Sequence, residues 1–344
     1  MTDLSTNTIS KPDAARPAFG AVLVDHMAVA AYSAGTWAPF DIRPTGEIPI
    51  HPSSHVLHYA SSCFEGFKAY RTPDGKVNVF RMDRHIARLH QSARALELPV
   101  PATGQLEQMI RALIERTRDS VPDSPGALYI RPLLFGTMAA IGGAATPPTE
   151  ALLVVLASPV WDYFAGGAKP LRIFVDDQNQ RTAPHLGEIK AGANYAAAIG
   201  QTVKAKRQHG ADQVLFCPQG QVQETGAANF VLLKDKHLLT RSLDSTFLHG
   251  VTRDSLLTIA RDEGYRVEER IFDVDEMLAW APAGEAALAG TAAVLAGVGT
   301  LLHRGVEHRV GTGAIGPVTQ HLRSQLVAIQ QGRVADRFGW LTQV

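Results

Sequence analysis

Lys190 sits in the stretch Glu188-Ile-Lys-Ala-Gly-Ala-Asn-Tyr195, and Glu224 follows in Gln223-Glu-Thr-Gly-Ala-Ala-Asn-Phe230. A lysine flanked by small residues leaves room for an aldehyde. Partial desolvation makes such a lysine give up its proton more easily and act as a nucleophile. A carboxylate at the far end of the same bound molecule can keep a pyridine nitrogen protonated, so that the ring accepts electrons. Alone, either residue says little, because a lysine in a loop is ordinarily a solvated surface group. Their surroundings add weight. From Tyr195 the chain reads as a helix ending near Gly210. Asp212–Cys217 then reads as a strand, Pro218–Gln221 as a turn, and Val222–Lys234 as the return strand of a hairpin that carries Glu224. Lys190 falls just before the helix.

That division of labour is the one pyridoxal phosphate (PLP) enzymes use. The two segments, together with Gly250-Val-Thr-Arg-Asp254, resemble the fold-type IV PLP enzymes, and among them the branched-chain amino acid aminotransferases. Further segments agree in order: Phe19-Gly-Ala-Val, Asp25-His-Met, Leu57 to Gly66, Arg88-Leu-His-Gln-Ser-Ala93, Tyr129-Ile-Arg-Pro132, Gly290-Thr-Ala-Ala293 and Gly339-Trp-Leu. The similarity runs from about Phe19 to the C-terminus.

The resemblance implies a two-domain α+β/α/β fold. It has a small α/β N-terminal domain and a larger C-terminal domain with a β-barrel-like core. It implies PLP as cofactor, joined to Lys190 as an imine, and amino-group transfer between Leu, Ile or Val and 2-oxoglutarate. It also implies roles. Tyr195 bonds the ring oxygen of PLP, and Glu224 holds the pyridine nitrogen's proton. Val251, Thr252 and Thr291 contact the phosphate, with Arg88 as its cation. Tyr129, Thr291 and Ala292 take the substrate α-carboxylate, and Arg131 the distal carboxylate of glutamate. Tyr59, Phe64, Trp161 and Tyr163 form an apolar wall, part of it from the second subunit of a homodimer whose active site lies near the interface. Three positions depart from the family's usual pattern: Ala193, His249 and Val294. None removes a group the chemistry needs.

The residues themselves agree with parts of this. Alternation puts Tyr129 and Arg131 on one face of a strand, with Ile130 on the other. An always-charged guanidinium at a rim can pair with a carboxylate without blocking an apolar pocket. Gly250 permits an unusual backbone, and Thr252 can cap a helix starting near Arg253, which offers either an anion seat or an ordinary N-cap. Arg88 reads equally as an inward-reaching cation or a solvated helix-surface residue.

The elements that must position these groups are legible in outline. Residues 1–18 are polar, lack the apolar stretch of a signal peptide, and read as a disordered tail. Residues 19–158 form the first domain. Its strands are Ala21–Val29, Glu65–Arg71, Val77–Phe80, Ala127–Phe135 and Ala151–Ser158. Its helices are Asp83–Leu98, with Ile86, Leu89, Ala93 and Leu96 on one face, and Leu106–Asp119. Residues 159–170, rich in aromatics and glycine, break the composition and read as an interdomain loop. Trp161 and Tyr163 there read as lid residues or as interface plugs. The second domain, 171–344, starts with the strand Leu171–Asp176, and a strand Glu285–Ala289 leads into the turn Gly290–Ala293.

Bulk properties exclude other classes. Of 344 residues, 33 are Lys or Arg and 33 are Asp or Glu, so charge points to neither nucleic acid nor an anionic membrane. No apolar run approaches the ~20 residues of a membrane span. The only two cysteines, Cys63 and Cys217, lie far apart, as expected of reduced thiols in a cytoplasmic protein. His51, His55 and His58 carry no metal-ligand spacing and read as turn and dimer-surface residues; no metal is expected. The competing readings are a D-amino acid aminotransferase or aminodeoxychorismate lyase on the same fold, and a non-catalytic PLP-binding protein.

Overall fold

Runs rich in β-branched and aliphatic residues recur through the first half of the chain, and they build one sheet. The computed structural model describes residues 18–161 and 169–344; residues 1–17 of the expected tail, and Tyr163, lie outside them. Eight strands come first: β1 (His26–Ser33), β2 (Thr36–Trp37), β3 (Asp41–Pro44), β4 (Ser62–Phe64), β5 (Phe67–Arg71), β6 (Val77–Phe80), β7 (Ala127–Gly136) and β8 (Ala151–Val160). They pair antiparallel in the order β6-β5-β7-β8-β1-β2, with β3 on β1 and β4 on β7. Three helices accompany them: α1 (His55–Tyr59), α2 (Met82–Ala95) and α3 (Thr103–Arg116). The stripe Ile86, Leu89 and Ala93 of α2 is buried, as are Leu106, Ile110 and Leu113 of α3, against Phe67, Leu128, Ile130 and Leu153 of the sheet.

The chain changes sheets between Val160 and Leu171. The second sheet contains β9 (Leu171–Asp176), β10 (Gln213–Phe216), β11 (Asn229–Lys234), β12 (His237–Thr240), β13 (Arg266–Glu269), β14 (Glu285–Gly290), β15 (Val294–His303) and β16 (Val306–Arg309). Its order is β10-β9-β15-β14-β11-β12-β13, with β16 on β15. The pairs β9/β10, β9/β15 and β12/β13 are parallel and the rest antiparallel. Helices α4 (Gly192–His209), α5 (Val251–Asp262), α6 (Val274–Trp280) and α7 (Pro317–Gln330) belong to this half. One face of the sheet packs under α5 and α7 through Val231, Leu233, Leu256, Ile259, Leu322 and Leu326. The other packs under α6 through Leu232, Leu288 and Met277.

Two features join the halves. The core under α5 and α7 continues into Tyr70, Phe80, Tyr129 and Val160 of the first sheet. The last strand, β17 (Leu341–Gln343), crosses back and pairs antiparallel with β6. We keep 159–170 as the proposed domain boundary, with the last strand assigned to the first sheet. Among the described residues no helix is long and apolar enough to cross a membrane.

Some expected bounds move. The first strand starts at His26, because Phe19–Ala21 turn and only the later residues find β3 and β8 as partners. The expected strand Val222–Lys234 is regular only from Asn229. Residues 222–228 touch neighbours by isolated bridges, Leu215 with Thr225 and Glu224 with Asn229, so Glu224 lies in an irregular loop. His55 is buried: its Nδ1 lies 2.8 Å from Ser61 Oγ and its Nε2 3.0 Å from Gly143 O, so it pins a loop.

Candidate active site

Lys190 is presented by a loop that its own small neighbours anchor. The Asn194 amide donates to Leu186 O (2.7 Å) and Ile189 O (3.0 Å) and accepts from Thr182 Oγ1 (2.5 Å). Lys190 N–H donates to Ser92 Oγ at 2.9 Å, and Phe64 N–H donates to Lys190 O at 3.1 Å. Ala191 bridges to Cys63 of β4, and a Cβ at Gly192 would stand 2.9 Å from Ser62 Oγ. The small residues after the lysine thus let β4 run against the loop. Lys190 Nζ donates to the Tyr195 hydroxyl at 2.7 Å, because Tyr195 lies in the first turn of α4 and points back over the loop. The Phe64 ring lies 5.1 Å from the Tyr195 ring, and Lys190 Nζ is 5.1 Å from the Phe64 centroid.

Glu224 is 3% exposed. Its Oε1 receives Leu248 N–H at 2.9 Å and lies 2.6 Å from Arg181 Nε; among the described residues its Oε2 has only the Asn229 amide, at 3.4 Å. Burial pushes the carboxyl up to about 7, against the pull of Arg181, Leu248 N–H, Lys190 and Arg88. A cation brought to this carboxylate would hold it ionised.

Arg88 faces inward from α2. Its Nε and Nη2 donate to Glu65 at 2.6 and 3.0 Å, and its Nη1 donates to His249 O at 2.9 Å. His85 Nδ1 lies 2.7 Å from Glu65 Oε2. Burial would raise the Glu65 carboxyl, but Arg88 and His85 hold it well below the usual carboxylate range. Through His249 the guanidinium is brought to the start of α5. That helix begins at Val251 with Gly250 as N-cap, so Thr252 lies inside the first turn and is not the cap the sequence suggested. The reason is steric. Gly250 is pressed against the Asn229 side chain, where a Cβ cannot fit, so the backbone turns into the helix early. No side chain among the described residues caps this end. The first-turn N–H groups of Val251 and Thr252 therefore lack helix partners and face an anion's side of the dipole.

Tyr129 and Arg131 share one face of β7. Arg131 Nη2 donates to the Tyr129 hydroxyl at 2.8 Å, and the guanidinium carbon is 4.5 Å from the Phe64 centroid. Arg131 Nε is buried without a partner among the described residues. A side chain at Gly66 would collide with the Tyr129 hydroxyl. Thr291 and Ala292 occupy the turn between β14 and β15, and Lys68 of β5 donates to Ala292 O at 2.9 Å. Val294, next in line, holds φ of 64°, a rare backbone for a β-branched residue. Tyr59 stands apart. Its ring packs on His55 and His58 and its hydroxyl donates to Ile141 O. Trp161 lines a cavity of about 250 Å³ with Lys68, Tyr70, Ala127 and Ala292.

The family model for amino-transferase class IV matches residues 62–300. The chain belongs to the class IV aminotransferases. It is 38% identical over 337 residues to a probable branched-chain-amino-acid aminotransferase of Streptomyces coelicolor, covering 95% of this chain and 92% of that one. It is 39% identical over 342 residues to the branched-chain-amino-acid aminotransferase of Mycobacterium tuberculosis, with the same coverage. Its fold matches the solved branched-chain amino acid aminotransferase of Escherichia coli. The TM-score is 0.76 and the identity 27%, over 92% of this chain and 98% of that one.

The site of this class IV aminotransferase contains groups the sequence reading passed over: Glu65, His85, Arg181, Asn194, Asn229 and Lys68. Glu65 and Asn194 lie inside motifs already singled out, and their polarity amid small or apolar residues was the available signal. Arg181 had none, since it stands in a loop between elements.

Proposed function

We infer that the chain is a PLP-dependent aminotransferase that moves the amino group of Leu, Ile or Val to 2-oxoglutarate, giving branched-chain 2-oxo acids and L-glutamate. One observation carries this reading. The Phe64 ring is 5.1 Å from Lys190 Nζ and 4.5 Å from the Arg131 guanidinium carbon. A lysine and a guanidinium therefore flank one aromatic ring, which supports a site that takes both leucine and glutamate.

The residues fit the cofactor. An amine meets a tyrosine hydroxyl at one end, a buried carboxylate with one lightly bonded oxygen stands at the other, and uncapped helix N–H groups lie beside a buried arginine. When bound, PLP supplies an electron sink for the negative charge at the substrate Cα. Lys190 would hold the cofactor and then carry the proton to and from Cα, already in place as acid and base. Tyr195 fixes the direction of Nζ. Glu224 keeps a proton on the ring nitrogen. Arg88, the N–H groups of Val251 and Thr252, and Thr291 would hold the phosphate. Tyr129, Thr291 and Ala292 orient the α-carboxylate, while the terminal N–H groups of Arg131 not taken by Tyr129 suit a distal carboxylate.

We also propose a cytoplasmic homodimer. Leu57 and Ile141 are 56% and 68% exposed on either side of Tyr59, which supports a covered surface there and a Tyr59 that serves the partner's pocket. Both cysteines are buried free thiols, in keeping with a reducing compartment.

The test is borohydride reduction of the PLP-loaded protein followed by peptide mapping, with amino transfer assayed from L-leucine and from D-alanine. The label should fall on Lys190 and only L-leucine should react. A label on another lysine, or preference for D-alanine, would overturn the assignment.

A further inference from the structure

Arg181 is 3% exposed and follows β9 in a loop. Its Nε stands 2.6 Å from Glu224 Oε1, but the N–H is not aimed along that line, so the contact is one of charge. The directional bond is at the other end, where Nη2 donates to Gly187 O at 3.0 Å. Gly187 is itself wedged: a Cβ there would overlap the backbone of Thr246 and Phe247, and Glu188 N–H donates to Ser245 O at 3.2 Å. One guanidinium thus spans from the buried carboxylate to the segment that, three residues on, carries Lys190.

The arrangement also distinguishes the two carboxylate oxygens. Arg181 and Leu248 N–H both occupy Oε1. Oε2 is left with a 3.4 Å contact from Asn229. We propose that Arg181 is a positioning residue that turns Oε2 of Glu224 toward the cofactor's ring nitrogen, keeps that carboxylate charged, and locks it in register with Lys190. This rests on the aminotransferase reading above.

The charged and titratable groups facing Glu224 are Arg181 from the loop after β9, Lys190 from the loop before α4, and Arg88 from α2; Leu248 and Asn229 contribute neutral donors. Of these, Arg181 opposes the effect of burial most. Without it Glu224 protonates more readily, and a neutral carboxyl cannot hold a pyridinium proton. The sign follows: in Arg181→Met the active, charged form is recovered as pH rises.

The experiment uses the PLP-loaded enzyme with Arg181→Met, Arg181→Lys, Glu224→Gln and the double variant Arg181→Met/Glu224→Gln. We expect Arg181→Met to lower kcat for L-leucine on the order of 30-fold at pH 7 with little change in KM. Part of the loss should return between pH 7 and 9. PLP affinity, read by absorbance titration, should weaken about 10-fold. Arg181→Lys should keep most of the parent pH profile. In the Glu224→Gln background, Arg181→Met should add little, because the two residues act as a unit. Parallel pH profiles for Arg181→Met and parent, or additive effects with Glu224→Gln, would overturn the proposal. So would an Arg181→Lys variant that behaves like Arg181→Met. Failure of the function reading itself would be seen separately, in a parent enzyme that takes no label on Lys190.

Discussion

At the scale of single residues, the site is a set of buried charges that neutralise one another before any ligand arrives. Glu224→Gln keeps size and removes the charge that would hold the ring proton. Loss of a charge-assisted bond in a buried site costs about 2–4 kcal/mol, so kcat should fall on the order of 30- to 1000-fold, and thermal stability should fall with it, because Arg181 is left buried beside a neutral amide. Near-normal turnover would make Glu224 a structural carboxylate. Arg131 separates the two half-reactions. Arg131→Met should weaken the 2-oxoglutarate step by roughly 1.5–3 kcal/mol, while the leucine step survives because its side chain offers nothing to a guanidinium. Single-turnover absorbance changes measure each step alone, and equal losses would move Arg131 to the α-carboxylate, where its bond to Tyr129 already points. Lys190 and Glu224 stood out in the sequence because they sit among small neighbours. Arg181 did not, since a charged residue in a loop has the same local signature whether solvated or buried, and only the fold decides that it is 3% exposed.

At the scale of elements, the start of α5 is the most exacting junction. Gly250→Ala would drive a methyl into the Asn229 side chain, which also bonds Leu248 O at 2.8 Å and touches Glu224. The helix start should shift and its N–H groups lose their aim. An anion at a helix N-terminus is worth about 1–2 kcal/mol, so PLP affinity should fall roughly 10-fold in an absorbance titration. Unchanged affinity would place the phosphate elsewhere. Element by element, the chain's periodicity was an adequate guide wherever one face is buried. The α2 stripe at Ile86, Leu89 and Ala93 and the strand Val77–Phe80 stand where the pattern put them. It misled at 222–228, which read as one strand with 229–234, whereas the side-chain bonds of Thr225 and Asn229 hold an irregular loop there. It also misplaced the cap of α5, because a glycine chosen for close packing looks, in sequence, like spacing before a threonine cap.

At the scale of the whole molecule, β17 clasps the two halves. Val344 N–H donates to Val77 O at 2.9 Å, Arg81 N–H to Trp340 O at 2.7 Å, and Arg111 to Gln343 O at 2.7 Å. Removing residues 341–344 should expose the β6 edge and lower the melting temperature on the order of 5 °C, with increased aggregation on heating. An unchanged melt would make the strand ornamental to stability. The same strand sets a timetable during synthesis. Leu341 faces Phe80, which leaves the ribosome roughly 260 residues earlier. At about 5–20 residues per second, the first sheet waits some tens of seconds with an open edge while the second is being made. The nascent N-terminal half therefore holds an unpaired sheet edge, the kind that invites mispairing, until β17 is made. A slow codon run late in the message would prolong that exposure, whereas one near the start would not.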